Sequence, residues 1–176
     1  MQIHYLVDHP DLIPRLARLH FAKWSRLRPR ETLEERTSRL TAQCGRNRVP
    51  SVFVAVEDNG ELAGSAMLVA RDMDTRSELT PWLAGLYVVA DRRGQGYGTA
   101  LVQRVESQAL ELGVERLHLY TPDARDFYGG LGWALDERDE YLGQQVAVMS
   151  KRLDSRVVRG GSPTTRGGSP IPRPAR

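Results

Sequence analysis

The chain has 176 residues, of which 40% are hydrophobic and 27% charged, a globular composition with the length of about one domain. No apolar run reaches the roughly 18 residues of a membrane-spanning helix, and the N-terminal segment contains His4, Asp8, His9 and Asp11 where a secretory signal would be apolar. The sequence therefore predicts a cytoplasmic protein without a membrane partner. The single cysteine, Cys44, excludes an intramolecular disulfide and has no metal-site spacing around it, so no metal is predicted.

The net charge of +3 is concentrated at the C-terminus. Asp154–Arg176 contains five arginines and one acidic residue, so residues 1–153 carry a net charge of −1. The sequence RGGSP occurs twice in this tail, and almost no apolar side chain is available for burial, which predicts a disordered tail after a domain of residues 1–153. So short an arginine–glycine segment offers few phosphate contacts and no aromatic stacking, so nucleic acid is not predicted as a partner.

Two helices are predicted near the N-terminus. The first begins at Asp11 and ends near Ser25, with Pro14 in its first turn, where a missing N–H is tolerated. Thr32 and Glu35 form a capping box, which predicts a second helix over residues 33–44. The apolar face predicted for the first helix consists of Leu12, Leu16, Leu19 and Ala22 with Lys23.

Strands dominate the middle of the chain. Residues 51–57 and 62–70 are rich in β-branched and apolar side chains, and Asn59-Gly60 between them favours a type I′ hairpin turn. Residues 82–90 form a further strand, which a long helix over residues 96–112 connects to the strand 116–121. A strand–helix–strand connection makes these two strands a parallel pair.

The last elements complete a single fold. A short helix over residues 124–131 precedes strands near residues 133–141 and 144–153, and Gly113 and Gly132 are predicted to end the two helices that they follow. The predicted fold class is α+β: a mixed, mostly antiparallel central sheet flanked by helices, with one splayed parallel strand pair.

A glycine-rich loop, Arg92–Thr99, follows a predicted strand and opens the long helix. At such a position backbone N–H groups and the helix dipole can hold an anionic phosphate. Its glycines, Gly94, Gly96 and Gly98, alternate, so the loop matches neither a P-loop nor GxGxxG. An NTPase and a Rossmann dehydrogenase are therefore disfavoured.

Two motifs resemble the GNAT superfamily of N-acetyltransferases. The family's acetyl-CoA motif, Arg/Gln-x-x-Gly-x-Gly/Ala, is matched by Arg93–Gly98, and its later FYxxLGF/W segment by Phe127–Trp133. The last predicted strand, Val146–Leu153, resembles the family's closing strand. The resemblance covers most of residues 52–153 and implies a GNAT-like fold with acetyl-CoA as co-substrate and direct acyl transfer to an amine.

The resemblance also implies the residues of a cofactor site. Coenzyme A pyrophosphate would lie on the amides of the loop, and pantetheine would pair with the backbone of the preceding strand, while Thr121 and Phe127 would flank the thioester. The implied cofactor-binding residues are Leu86, Tyr87, Val88, Val89, Arg93, Gly94, Gln95, Gly96, Tyr97, Gly98, Thr99, Thr121 and Phe127.

The resemblance makes Tyr128 the candidate catalytic residue, a general acid for the leaving thiolate, the alternative being that its ring only packs. The base is where the chain departs from the family. Many relatives place a glutamate or histidine on the strand before the loop, where this chain has Trp82 and Ala84. The nearest acid, Glu78, reaches the site only if its loop folds inward, so an ordered water, a backbone carbonyl or an acceptor with a lowered amine pKa is expected to replace it.

Four further aromatic or histidine side chains leave alternatives open. His118 alternates with Leu117 and Leu119, so it faces either a substrate channel or, the preferred alternative, solvent. His20 and Trp24 lie beside the basic loop with Arg26, Arg28 and Arg30, a region that borders the acceptor site in similar enzymes; packing is slightly preferred. Trp82 is equally compatible with the core and with the lining of the cleft, and the Tyr87 side chain is expected to pack.

The predicted function is acetyl-CoA-dependent N-acetyl transfer to a primary amine, with a small-molecule amine slightly preferred over a protein amine. A non-catalytic acyl-CoA-binding regulatory module is the alternative, because the strand carboxylate is missing. A nucleic-acid-associated protein acting through the tail is a third hypothesis. The sequence leaves the acceptor, the acyl length and the oligomeric state, a homodimer included, open.

Overall fold

The computed structural model describes residues 1–154, which form seven strands and four α-helices. The strands are β1 (Gln2–Tyr5), β2 (Ser51–Val56), β3 (Leu62–Val69), β4 (Trp82–Val88), β5 (Arg116–Thr121), β6 (Ala134–Tyr141) and β7 (Gln144–Arg152). The helices are α1 (Ile13–Trp24), α2 (Leu33–Gln43), α3 (Tyr97–Glu111) and α4 (Arg125–Gly130). The predicted disorder of the tail concerns residues outside this range, apart from Asp154.

All seven strands form one sheet in the order β1-β2-β3-β4-β5-β7-β6. Every neighbouring pair is antiparallel except β4 and β5, which α3 connects as a parallel crossover. These two strands pair only at Trp82 and His118, where the His118 N–H donates to the Pro81 carbonyl at 3.1 Å. Beyond this point the sheet is open, which confirms the predicted α+β fold with a splayed parallel pair.

A β-bulge in β4 lies at the start of the opening. Met67 of β3 pairs with Ala84 and Ser65 pairs with Tyr87, so two residues of β4 stand opposite the single residue Ala66. One of the two is Gly85, with φ 58°, and a Cβ there would lie 2.7 Å from the Met67 sulfur. Because a bulge bends its strand and increases the local twist, it accounts for the divergence of β4 from β5.

Helices cover both faces of the sheet. Alternate residues of β2 point to opposite faces: Val52 and Val54 pack in the core under α1 and α2, whereas Phe53 and Ala55 pack in the core under α3. All six residues of β2 are buried. The centre of the sheet is therefore fully packed on both faces. Packed side chains also flank the opening between β4 and β5 on both sides.

The N-terminal helices confirm one prediction and correct another. The Thr32 hydroxyl accepts from the Glu35 N–H and the Glu35 carboxylate accepts from the Thr32 N–H, as in the predicted capping box. The apolar face of α1 is rotated from the predicted one. Its buried residues are Ile13, Leu16, Ala17 and His20, whereas Ala22 and Lys23 are exposed, because a 3₁₀ turn at Pro10–Leu12 precedes the helix.

Two turn predictions are also tested. The type I′ turn at Asn59-Gly60 is wrong: Gly60 alone of the pair has a positive φ, 83°, and its N–H donates to Glu57, as in a type I turn with a following bulge. Gly113 ends α3 as predicted, with φ 77° and paired hydrogen bonds from Gly113 to Leu110 and from Val114 to Ala109. Leu112, the residue that follows the last turn of α3, is exposed.

None of the helices within residues 1–154 combines the length and apolar character that crossing a membrane requires.

Candidate active site

The loop before α3 presents backbone amides to open space. Gly94 and Gly96 have φ values of 71° and 86°, and a Cβ at either would meet nothing within 4 Å. The Gly96 carbonyl accepts from the Ala100 N–H at 3.0 Å, so the earlier amides of the helix have no intrahelical acceptor. Free amides at the N-terminus of a 15-residue helix suit an anionic phosphate, and this cradle therefore fits the pyrophosphate of coenzyme A.

Glu57, beside the end of β2, anchors this loop from the sheet. Its Oε1 accepts from Arg92 Nε at 2.9 Å and from the Tyr97 hydroxyl. These hydrogen bonds, from Tyr97 first and Arg92 second, lower the pKa of the Glu57 carboxyl, so the anchor is ionised at neutral pH. Arg92 and Tyr97 flank the segment Arg93–Gly96. Because both ends of this segment are fixed, its amides are held in position before a ligand binds.

The backbone of Leu86–Val89 borders the opening in the sheet, and all four side chains are half-buried. The Val89 N–H donates to the Ala63 carbonyl of β3. Because successive residues of a strand direct their N–H and C=O groups to opposite sides, those of Val88 point away from β3 and into the gap. Arg93 Nε donates to the Val88 carbonyl at 3.1 Å. A pantetheine that pairs with this strand must therefore share or displace the Arg93 contact.

Phe127 of α4 lies beside the glycine loop, and Thr121 ends β5 at the cavity wall. A Cβ on Gly98 would lie 3.3 Å from the Phe127 ring and 3.9 Å from Val88, so the loop and α4 approach each other closely at this glycine. Phe127 is 38% exposed. Thr121 is buried, and its hydroxyl accepts from the Ala124 N–H at 3.0 Å, which fixes the turn into α4.

A cavity of about 620 Å³ opens on the α1–α2 face of the sheet. Its wall includes the bulge residues of β4, the ends of β3 and β5, and side chains of both N-terminal helices. The volume lies within the range of small-molecule sites. The cavity reaches Thr121 and Tyr128, so it meets the opening between β4 and β5 from the side opposite α3.

Tyr128 connects the two sides of the sheet. Its ring is buried in the core beneath α3, at 5.0 Å from the Phe127 ring and 6.0 Å from the Trp133 ring, and it also lines the cavity. Burial, with smaller contributions from Asp123 and Asp72, raises the pKa of the phenol. Tyr128 therefore keeps its proton throughout the neutral range.

Asp72, in the loop after β3, brings a carboxylate into the cavity wall. Burial raises the pKa of Asp72 to about 6, against the opposing charges of Arg28 and Arg39. Its charge in turn raises the pKa of Tyr120 and of Tyr128, so the carboxylate lies within electrostatic range of both phenols. A carboxylate with this pKa is mostly ionised at pH 7 and can accept a proton from an ammonium group.

A buried hydrogen-bond chain holds the bulge. The Ser65 hydroxyl donates to the Gly85 carbonyl at 3.1 Å, and His20 Nε2 lies 2.8 Å from the same hydroxyl. Because a hydroxyl has one proton, His20 must be the donor, which assigns the proton to Nε2. Burial, with the charges of Arg36 and Arg39, lowers the pKa of His20 to about 3, so it remains neutral and positions β4 without titrating.

The remaining aromatic residues occupy the core and the cavity wall. Trp82 is fully buried, and its indole N–H donates to the Leu79 carbonyl at 2.7 Å. The preferred placement of His118 in solvent is wrong: it is buried, with its ring 5.8 Å from that of Trp82. Trp24 lines the cavity, and the Tyr87 ring packs against the rings of both Trp24 and His20, at 6.3 Å from each.

Sequence reasoning named Arg26 and Arg28 near the acceptor region, but it missed Asp72, Tyr120 and the cavity arginines Arg36, Arg39 and Arg71. Glu78, the acid it considered, is exposed and outside the cavity wall, although it belongs to the same loop. No motif marks this acid: the loop begins after Val69, which pairs with Trp82 at the closed end of the β4–β5 pair, and the loop reaches the cavity only through tertiary packing.

Comparison with known proteins identifies the family. The model of the acetyltransferase (GNAT) family matches residues 13–133. An acetyltransferase of Pectobacterium atrosepticum is 30% identical over 107 residues, 61% of this chain and 69% of that protein. N-alpha-acetyltransferase 80 of Mus musculus is 39% identical over 70 residues, but the match spans 40% of this chain and only 21% of the mouse protein.

A solved structure shares the fold. An aminoglycoside 6'-N-acetyltransferase complexed with coenzyme A has a TM-score of 0.69, covers 99% of this chain and 100% of its own, and is 18% identical. Together with the family match over residues 13–133 and the splayed strands beside a glycine loop, these findings show an enzyme. The chain belongs to the GNAT family of acetyltransferases.

Proposed function

We propose that this acetyltransferase moves the acetyl group of acetyl-CoA directly to the primary amine of a small molecule. The observation that carries the proposal is that an amide-lined loop and a cavity approach the same opening in the sheet from opposite faces. Tyr128 borders that opening and lines the cavity. Two reactants that enter from opposite faces meet there without an intermediate carrier.

The cofactor site follows from the loop and the strand. The amides of Arg93–Thr99 would hold the pyrophosphate, Leu86–Val89 would pair with pantetheine, and Thr121 and Phe127 would enclose the far end. Bound acetyl-CoA supplies an acetyl group already activated as a thioester. Side chains packed on both sides of the opening would shield the reacting end from water.

Two side chains divide the proton transfers. Asp72 takes the proton from the ammonium of the acceptor, because its raised pKa lies closer to that of an amine than an ordinary carboxyl's does. As the nitrogen–acetyl bond forms and the carbon–sulfur bond breaks, Tyr128 gives its proton to the departing sulfur and stabilises the charge that develops there; the second proton lost by the acylated nitrogen restores the phenol. Asp72 thus replaces the strand carboxylate that is absent at Trp82 and Ala84.

A small acceptor is favoured over a protein acceptor by the shape of the site. The cavity of about 620 Å³ lies between the bulge of β4, the helices α1 and α2 and the residues near Tyr141. A pocket of this size buries most of a small ligand, whereas a protein segment needs an extended open groove. The mouse relative and the aminoglycoside enzyme are named for different acceptors, and the Pectobacterium relative is named for none, so these names do not decide the class.

Thiol release from acetyl-CoA tests the proposal. The full chain is mixed with acetyl-CoA and a panel of primary amines that includes small amines, lysine peptides and peptides with free N-termini. Release of coenzyme A that depends on a small amine, with the acetylated product identified by mass spectrometry, is the expected result. Tight acetyl-CoA binding without release for any amine would establish the binding-module alternative instead.

A further inference from the structure

Cationic side chains dominate the wall of the acceptor cavity. Six cationic residues line it, against two carboxylates, Asp72 and Asp123. The cationic residues are Lys23, Arg26, Arg28, Arg36, Arg39 and Arg71. Residues 1–153 as a whole carry a net charge of −1, so this concentration of positive charge is local to the cavity and not a property of the domain surface.

Arg36 is the most enclosed of these side chains. It is 7% exposed, and its Nη2 lies 2.5 Å from Glu31, whose other oxygen lies 2.6 Å from Arg39. One carboxylate is thus shared by two guanidinium groups. Within residues 1–154 the Arg36 Nε has no hydrogen-bond partner. A buried charged donor without an acceptor is costly, so a water molecule or a ligand group must supply one.

Arg28 extends the positive charge to the mouth of the cavity. It is exposed, and no carboxylate of the described chain lies within ion-pair distance of it. Its charge lowers the pKa of Asp72 and acts on Tyr120 and Tyr141, so it lies within electrostatic range of the opposite wall. Arg28 and Arg36 therefore offer guanidinium groups at two depths of one cavity.

We infer that the acceptor carries a carboxylate or phosphate group beside its primary amine, with the anion bound by Arg28, Arg36 and Arg39 and the amine directed to Asp72. This inference rests on the proposed function and specifies its substrate class. Guanidinium groups bind both anions through paired hydrogen bonds, so carboxylate and phosphate share one recognition chemistry. A polycationic amine, such as an aminoglycoside, is disfavoured by the same arginines.

Matched acceptors test the inference. Each anionic amine is compared with the same amine lacking the anion: an amino acid with its decarboxylated amine, and 2-aminoethyl phosphate with ethanolamine. We expect kcat/KM to be roughly 10- to 100-fold higher for the anionic member of at least one pair. The two pairs separate carboxylate from phosphate, and a peptide with an acidic N-terminal residue tests a protein source of the same chemistry.

Variants of neighbouring arginines provide the matched control. Arg28→Gln should remove most of the preference for the anionic acceptor and weaken its binding by calorimetry with coenzyme A present, without changing the KM for acetyl-CoA. Arg30→Gln, two residues away and outside the cavity wall, should retain the preference. Arg28 is exposed, so its substitution does not test the fold.

The outcomes separate the two levels of the argument. Equal or faster turnover of the uncharged amines, or an Arg28→Gln variant with an unchanged preference, would contradict the inference and leave the proposed function intact. Efficient turnover of the acidic peptide alone would assign the anion site to a protein acceptor and contradict the small-molecule class. Failure to release thiol with every amine would contradict the proposed function and the inference together.

Discussion

At the scale of single residues, burial determines which groups can move protons. Tyr128 and Asp72 both line the cavity, and burial raises the pKa of each. The consequence differs between the two groups. A raised pKa keeps the phenol protonated at neutral pH, so it can donate its proton, whereas a raised pKa makes the ionised carboxylate a stronger base. His20, although closer to the bulge, is excluded from proton transfer because its pKa falls to about 3.

Replacing Tyr128 by phenylalanine tests the general acid. The ring and its packing against Phe127 and Trp133 are retained, and only the hydroxyl is lost. We expect kcat to fall by roughly ten- to ten-thousand-fold, with little change in acetyl-CoA affinity measured by calorimetry. Near-native turnover would show that Tyr128 serves only as packing.

Asp72 predicts a specific pH dependence. Its carboxyl must be ionised to accept a proton, so kcat/KM should rise with pH through the pKa of about 6. At higher pH this group should cause no further change in kcat/KM. The charged or titratable groups that act on it or that it acts on are Arg28, Arg39, Tyr120 and Tyr128. Guanidinium and phenol groups titrate well above pH 6, so the limb belongs to Asp72.

The variant Asp72→Asn should lower kcat by about 100- to 10,000-fold and abolish this limb. Its Tm at pH 7 should not fall. The folded-state pKa lies above the ordinary value of 3.8, so the ionised carboxyl costs stability as pH rises between the two values, and asparagine removes that cost. An unchanged pH limb in the variant would exclude Asp72 as the base.

At the scale of elements, the opening between β4 and β5 depends on several separate structural features. The bulge at Gly85 bends β4, the chain from His20 through Ser65 holds the bulge, and the single pair at Trp82 and His118 keeps the strands together at one end. Glu57 then fixes the glycine loop at the other end. These features together involve α1, β3, β4, β5 and the residue after β2, so the site exists only in the assembled sheet.

The glycine loop predicts a sharp effect at Gly96. A Gly96→Asp substitution adds bulk and a negative charge where amides face an expected phosphate, so acetyl-CoA binding should be abolished in calorimetry. Gly113→Asp is the matched control, because Gly113 has a similar φ of 77°, also in open space, at the opposite end of α3. Loss of binding in both variants, or in neither, would contradict the loop assignment.

At the scale of the whole molecule, sequence patterns predicted what is local or repeated. The capping box at Thr32, the crossover through α3 and the parallel strand pair follow from short motifs and periodicity, and all three are present. The acceptor cavity could not be predicted in this way. Arg36 from α2, Asp72 from a loop and Tyr120 from β5 converge only through tertiary packing, and none occupies a motif.

The same limit explains the errors. His118 was placed in solvent because strand alternation identifies two faces but does not show that helices cover both of them. The type I′ turn failed because Asn59-Gly60 also fits a type I turn with Gly60 in the left-handed region, and the register of β2 against β3 decides between the two. Local signals thus determine element type, and packing determines exposure and register.

Removing the tail tests whether the domain of residues 1–153 folds and is active without it. Beyond Asp154 the sequence contains five arginines and few apolar residues, so it can add little buried apolar area to the fold. We expect truncation after Asp154 to change Tm by less than about 2 °C and to leave thiol release with the best acceptor unchanged. Salt-sensitive RNA binding that the truncation abolishes would instead support the nucleic-acid hypothesis, and a large loss of Tm would show that the domain boundary lies further along the chain.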